Sequence, residues 1–293
     1  MRSRSILVTG AHGFLGEYFA RRISGESGYS MTMTDREHLD VLDKEKLADT
    51  LRELKPDAVI HLAALCGAIP SVQEPHRFFE TNFTGTLNVL EACRVAGVSR
   101  VLFTSSMTVF GKSEEAVDEE SPFRPRHPYA ASKAAAEILL SNYCQNFGMS
   151  AVVSRPALVV GEGCREKHAI ADFLETAQAG KIIEIYGPGS HVRDFIHPED
   201  VAESMVSCLN HLMALPAGSL ESFNFSTGER YTMLELAGIV CEAAGRRPEE
   251  TIRHVPTTQQ AFSLFTSIDK ARMILNWAPK ILIGDIARRL ANH

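Results

Sequence analysis

Nowhere in its 293 residues does the chain approach the ~18 consecutive apolar residues of a membrane-spanning helix, so no span is expected. The opening MRSRSILVTG has a short apolar run, Ile6 to Val8, too brief for a signal-peptide core. No block of Lys or Arg exists and the formal net charge is −6, which argues against nucleic acid or an anionic membrane as partner. An acidic small molecule is still compatible, because it needs only one or two local cations. The cysteines (Cys66, Cys93, Cys144, Cys164, Cys208, Cys241) never form C-x-x-C, so reduced thiols in a cytoplasmic protein are the expectation. There is no internal repeat and no low-complexity tract. With 45% hydrophobic residues, the chain has enough to bury a sizeable core in one domain or slightly more.

The first half alternates short apolar runs with helical periodicity. SILVTG (5–10), YSMTMTD (29–35), DAVIHLAA (57–64), RVLFTSS (100–106) and SAVVSRPALVVG (150–161) read as strands. FLGEYFARRIS (14–24), DKEKLADTLREL (43–54), FFETNFTGTLNVLEACRVAG (78–97) and PYAASKAAAEILLSNYCQNFG (128–148) read as helices, the last two ending at glycine. Near-continuous apolar strands alternating with helices predict an α/β fold, a Rossmann-type doubly wound parallel sheet covered on both faces. Beyond residue 161 the pattern is less regular. HAIADFLETAQAG and TMLELAGIVCEAAG read as helices, KIIEIYG and SFNFSTG as short strands. The expected division is a sheet domain over 1–161 and a smaller α/β lobe over 162–293, part of which returns to the sheet.

VTGAHGFLG places Gly10, Gly13 and Gly16 between the first strand and the first helix. Gly10 permits a tight turn, Gly13 lets backbone approach a pyrophosphate, and Gly16 allows close helix–sheet packing. The helix N-terminus then offers unpaired N–H groups to the anion. Following a strand and opening a helix, the pattern predicts dinucleotide binding over the sheet domain. Asp35 lies at the end of the second strand, near the spacing at which a carboxylate takes the adenosine ribose hydroxyls. Arg36 follows at once, and an arginine there pairs with a 2′-phosphate. The balance favours NAD, because a carboxylate repels the added phosphate; NADP is the alternative, and both residues can equally well cap the strand.

YAASK sets Tyr129 and Lys133 one helical turn apart on a shared face. A free tyrosine has a pKa near ~10, so proton exchange at neutral pH needs its phenolate stabilised. A lysine four residues on supplies that charge and can hold a nicotinamide ribose. The strand RVLFTSSMTVFG ends in the hydroxyls of Thr104, Ser105, Ser106 and Thr108, at the rim where parallel sheets bind ligands.

TGAHGFLG, HLAA (61–64), NFTGTLNVLEA (82–92), SSMTVFG (105–111), YAASK and RDFIHPEDVA (193–202) occur in that order. Together they resemble the extended short-chain dehydrogenase/reductases, the NAD-dependent epimerases and dehydratases that act mostly on nucleotide sugars. The resemblance runs from about residue 5 to about residue 288. It implies that Tyr129 is the general acid/base, Lys133 its partner, and Ser106 the hydroxyl that binds the reacting oxygen, with Thr108 beside the substrate. Gly10, Gly13, Phe14, Leu15 and Gly16 would line the phosphates of the dinucleotide. Asp40 and Val41 would contact adenine, and Leu62, Ala63, Ala64 and Asn82 would flank the cofactor. Arg193 would hold a substrate diphosphate.

Members of this group that dehydrate carry Asp-Glu directly after the hydroxyl residue. Here Met107 and Thr108 stand in those places, so the resemblance points to the 4-epimerases. Two departures remove polar contacts to a nucleotide diphosphate. Leu158 replaces the usual Asn, and RHVPTTQQAFS (253–263) replaces an arginine-containing R-P-G-D stretch. The second reading is therefore an NAD(P)H-dependent reductase or dehydrogenase of a keto-sugar or small hydroxy compound. A non-catalytic dinucleotide sensor ranks last, since Tyr129 and Lys133 are both present.

His61 reads as a packed strand residue, because no second ligand stands at metal-binding spacing, and no metal is expected. His197 reads as a structural hydrogen-bonder. EEAVDEESP reads as a solvated acidic loop or a flap over the site. The helix at 128–147 is apolar at 131, 134, 135, 138, 139 and 143. In the resembled group the surplus face, with the helix at 78–96, builds a homodimer; inward-facing core is the competing explanation.

Overall fold

The computed structural model describes residues 3–26, 28–164, 168–258 and 261–292. Its strands are β1 (Arg4–Thr9), β2 (Tyr29–Thr34), β3 (Ala58–His61), β4 (Arg100–Thr104), β5 (Ser150–Pro156), β6 (Leu158–Val159), β7 (Ile183–Tyr186), β8 (Val192–Arg193), β9 (Phe195–Ile196), β10 (Leu220–Phe225), β11 (Tyr231–Thr232) and β12 (Ile252–Val255). Its helices are α1 (Phe14–Ile23), α2 (Lys44–Leu54), α3 (Ala68–Gln73), α4 (Pro75–Phe79), α5 (Gly85–Ala96), α6 (Pro128–Phe147), α7 (Ala169–Gln178), α8 (Pro198–Ala214), α9 (Met233–Ala243), α10 (Pro248–Thr251), α11 (Asp269–Leu275) and α12 (Ile283–Ala291). None of these helices is long and apolar enough to cross a membrane.

Six parallel strands form one sheet in the order β10-β5-β4-β3-β1-β2. The order reverses at β1, whose neighbours are β2 and β3, so a crevice opens at the carboxyl ends of β1 and β3. One face packs on α1 and α8 through Phe19, Ile23, Val201, Met205 and Leu209. The other packs on α2, α5 and α6 through Leu47, Leu51, Val89, Leu90 and Leu140. Layers on both faces explain why the inner strands β1, β3, β4 and β5 are buried along most of their length rather than alternating. Beyond residue 161, α7, α9 and α12 build a separate small core around Ile170, Leu236 and Ile286. From the same half, β10 joins the sheet beside β5 and α8 packs on α1.

Three elements depart from the sequence expectations. β3 ends at His61 rather than 64, because residues 62–64 turn across the end of β1. The single helix expected over 78–97 is α4, a π-helical turn (Glu80–Thr84) and α5. The strand expected over 150–161 breaks after Pro156, and β6 pairs instead with β9. α3, α8, α10, α11 and α12 lie where no helix is read from periodicity. α8 nonetheless carries a start signal, His197 capping Glu199 N–H with Pro198 at the first helical position.

Candidate active site

β1 leads into Gly10, whose φ of +71° strains any residue with a Cβ. A Cβ there would lie 2.6 Å from the Ala63 backbone nitrogen. Ala63 is held close because Leu62 N–H donates to the Thr9 carbonyl at 3.1 Å. A Cβ on Gly16 would come within 2.3 Å of the Ala11 carbonyl oxygen, so α1 starts directly against the turn. Gly13 is the N-cap of α1 and no side chain caps it. The first-turn N–H groups at Phe14, Leu15 and Gly16 lack helical partners. A bare cradle closed by backbone on one side and a helix N-terminus on the other fits a dinucleotide pyrophosphate.

At the end of β2, one oxygen of Asp35 accepts from Glu37 N–H, His38 N–H and, at 2.6 Å, the His38 ring. The hydrogen bond from His38 holds the Asp35 carboxyl below its usual range. Arg36 is exposed and turns to Asp40, 3.2 Å away. Asp40 also accepts from Leu42 N–H. Val41 is buried against Gly85, and its carbonyl accepts from Asn88. Asp35 thus directly follows β2, Arg36 makes an exposed pair with Asp40, and the Val41 side chain is buried.

Asn82 sits in the π turn, which turns its amide inward. The amide oxygen accepts from Leu65 N–H at 2.8 Å; its nitrogen donates to the Leu65 carbonyl and to Ser132 Oγ. Asn82 therefore clips the segment carrying Ala63 and Ala64 to α6. Ser132 in turn donates to the Tyr129 carbonyl. His61 lies between Thr9 and Thr86, whose hydroxyl donates to the Asn82 carbonyl. Burial drives the His61 pKa down to about 3, so the ring is neutral and structural.

Lys133 is buried and its Nζ donates to the Thr104 carbonyl at 2.8 Å, pinning α6 to the end of β4. Burial lowers its pKa to about 8, against the stabilising charge of Glu137 one turn on. The Tyr129 ring stacks on His127 at 6.0 Å and meets Phe78 edge-on at 6.4 Å. His127 also caps α6 by accepting from Ala130 N–H. Sequence reasoning missed both aromatic supports, although His-Pro ahead of a helical run is itself a capping signal.

The two serines of the β4 end divide cleanly. Ser105 donates to Glu137, which forms a buried pair with Arg155 at 2.7 Å. The Ser106 oxygen accepts from Thr108 N–H and Thr108 Oγ1, and Ser106 caps the short helix Met107–Phe110. Ser105 is thus turned into the protein, and Ser106 is the hydroxyl at the rim.

Farther out, Arg193 donates to the Val192 and Phe262 carbonyls. Asp194 is buried and accepts from Phe195 N–H, Thr266 N–H and Thr266 Oγ1. Burial raises the Asp194 pKa to about 6. Leu158 N–H donates to the Asp194 carbonyl, and the Leu158 side chain is exposed. The acidic loop is more than a solvated surface. Val117 is buried and bonded to Phe265 and Ser267, and Glu119 accepts from Asn224 N–H. His197 is fully buried, 3.2 Å from Glu162, in a structural role. Gln259 and Gln260 of RHVPTTQQAFS lie outside the described residues. Among the described residues no His, Cys, Asp or Glu cluster is placed to hold a metal.

Residues 6–224 match the model of the NAD dependent epimerase/dehydratase family. The chain is 30% identical over 302 aligned positions to the UDP-glucose 4-epimerase of Mycolicibacterium smegmatis, spanning 95% of each. It superimposes on the UDP-glucose 4-epimerase of Thermus thermophilus, solved with NAD, with a TM-score of 0.83 at 32% identity, covering 99% and 98% of the two chains. RMD of Pseudomonas aeruginosa, solved with NADPH, gives a TM-score of 0.84 at 27% identity, with 99% and 98% covered.

Proposed function

The chain belongs to the NAD-dependent epimerase/dehydratase family, and from that premise we propose that it inverts a hydroxyl-bearing carbon of a nucleotide sugar. When bound, NAD supplies a hydride acceptor that can later give the hydride back. Tyr129 takes the proton of the substrate hydroxyl and later returns it to the same oxygen; inversion follows if the ketone turns between the two steps so that the hydride comes back to the opposite face of its carbon. Lys133, fixed on the Thr104 carbonyl, sets a positive charge on the tyrosine face of α6 and holds the nicotinamide ribose. Ser106 orients the reacting oxygen, with Thr108 holding Ser106 in place. Asp35 takes the adenosine ribose hydroxyls, and its carboxylate, which would repel a 2′-phosphate, favours NAD over NADP.

The observation that carries this reading is the pair of residues directly after Ser106: a buried Met107, and Thr108 bonded to Ser106 itself. Dehydration needs a second acid or base on the neighbouring carbon, and neither residue is one. Leu158, exposed where the family motif has Asn, favours the second reading, a reductase or dehydrogenase of a different substrate.

Purified protein should release NAD on denaturation and interconvert UDP-glucose and UDP-galactose without net change at 340 nm. Stoichiometric loss or gain of NAD(P)H would move the assignment to the second reading. Tyr129→Phe is expected to lower turnover by about 10²–10⁴-fold while retaining cofactor, and Ser106→Ala by less. Full activity in Tyr129→Phe would end the catalytic assignment.

The surrounding organisation fits the same reading. Residues 1–161 form most of the cofactor-binding unit, and 162–293 supply the substrate lobe. Buried free thiols at Cys93, Cys144, Cys208 and Cys241 suit a cytoplasmic enzyme. The exposed apolar side chains of α5 (Val95) and α6 (Ile138, Phe147), with those of the neighbouring α3, pair two copies into a homodimer.

A further inference from the structure

Two rings approach Tyr129. His127 lies parallel to it, with 6.0 Å between ring centres and 3° between planes. Phe78 on α4 meets it edge-on, at 6.4 Å and 80°. Offset-parallel and edge-on arrangements are the two that aromatic quadrupoles favour.

The His127 ring is itself fixed. His127 is the N-cap of α6, in extended backbone, and its Nδ1 accepts from Ala130 N–H at 3.2 Å. That bond requires an unprotonated Nδ1, so the ring is neutral and carries its hydrogen on Nε2. Burial lowers the His127 pKa and favours the same form. Pro128 follows, and its pyrrolidine sets φ at about −65°. The Tyr129 carbonyl accepts from Ser132 Oγ, which Asn82 also holds. The backbone is thereby set on both sides of Tyr129. Its side-chain torsions keep their freedom, and these are what the two rings restrict.

Capping alone does not call for an imidazole, because a serine oxygen accepts the same N–H. α7 and α8 also start on capping histidines, His168 and His197. His127 differs in laying its ring along the proposed acid/base group. We propose that His127 is a positioning residue for Tyr129, its capped ring holding the phenol in the orientation that proton transfer needs. This rests on Tyr129 as the acid/base group of the proposed reaction. A phenol released from the ring must regain that orientation in each turnover. One aromatic pair shifts such a population by about three- to tenfold.

The test separates ring from cap. His127→Ser keeps a cap and removes the ring. Its kcat on UDP-glucose should fall by about three- to tenfold, while KM, bound NAD and the melting temperature stay unchanged. His127→Phe keeps a ring and removes the cap acceptor, so kcat should recover at a lower melting temperature. Carbon-13 NMR of labelled tyrosine, with Tyr129 assigned through Tyr129→Phe, should show faster ring motion in His127→Ser than in wild type. In the Tyr129→Phe background His127→Ser should cost nothing further, because no hydroxyl is left to place. Wild-type kcat in His127→Ser overturns the positioning role and leaves Tyr129 as the acid/base group. A kcat that falls only together with the melting temperature makes His127 a cap alone and overturns it too. Full activity in Tyr129→Phe overturns the reading beneath, even where the ring still loosens in His127→Ser.

Discussion

A methyl group at position 10 has nowhere to go. It would meet the Ala63 backbone at 2.6 Å, in a conformation with φ +71°. Gly10→Ala is expected to cost about 1–3 kcal/mol and to strip bound dinucleotide from the purified protein. Unchanged melting and cofactor content would refute the cradle. Lys133 makes a sharper case. Its folded pKa is about 8, below the ordinary 10.5, because of burial. Between those values the folded chain binds fewer protons than the unfolded one, so stability should rise with pH across that window. Turnover should fall over the same window, as the charge that supports the tyrosinate disappears. Denaturant unfolding and kcat followed side by side should move in opposite directions, and Lys133→Met should lose both trends. Parallel trends would separate Lys133 from catalysis.

Helix α6 is the element that assembles the site. Tyr129, Lys133 and Glu137 repeat every four residues along one face, and that face points into the protein. Its ends were legible to within a residue from Pro128 and Gly148. Its inward charges were not, because Lys and Glu on a helix ordinarily face water. What turns them in is Arg155 on β5, which holds Glu137 in a buried pair, and the Thr104 carbonyl, which holds Lys133. Glu137→Gln leaves Arg155 buried without its counter-charge, so a loss of about 3–5 kcal/mol is expected by chemical denaturation. A change of a few tenths would mean that water replaces the pair. The π turn at Glu80–Thr84 was equally hidden. Helical periodicity reads straight through it, yet only this extra residue turns Asn82 onto Leu65.

At the scale of the whole molecule, Ile69 (75%), Val72 (65%) and Ile138 (64%) stay exposed on α3 and α6, which pack side by side. Three large apolar side chains on adjacent helices are a surface that a second copy can cover. The expected species in sedimentation is a dimer, and Ile138→Glu should shift it to monomer by placing a charge in the interface. Wild-type monomer at micromolar concentration would sink the pairing.

By itself, the sequence determined what depends on neighbours along the chain. Strand and helix periods, the glycine turn after β1 and the one-turn spacing of Tyr129 and Lys133 are local, and backbone geometry leaves them little freedom. Tertiary structure alone decided which hydroxyl faces the rim. Ser105 and Ser106 are alike in sequence, and only the Glu137 carboxylate, 32 residues on, takes one of them away. It likewise decided that Arg126 and Arg193 share a single ring, since Phe262 reaches both only once the last third of the chain folds back along β8. Contacts of that kind depend on packing between distant segments, and no periodicity encodes them.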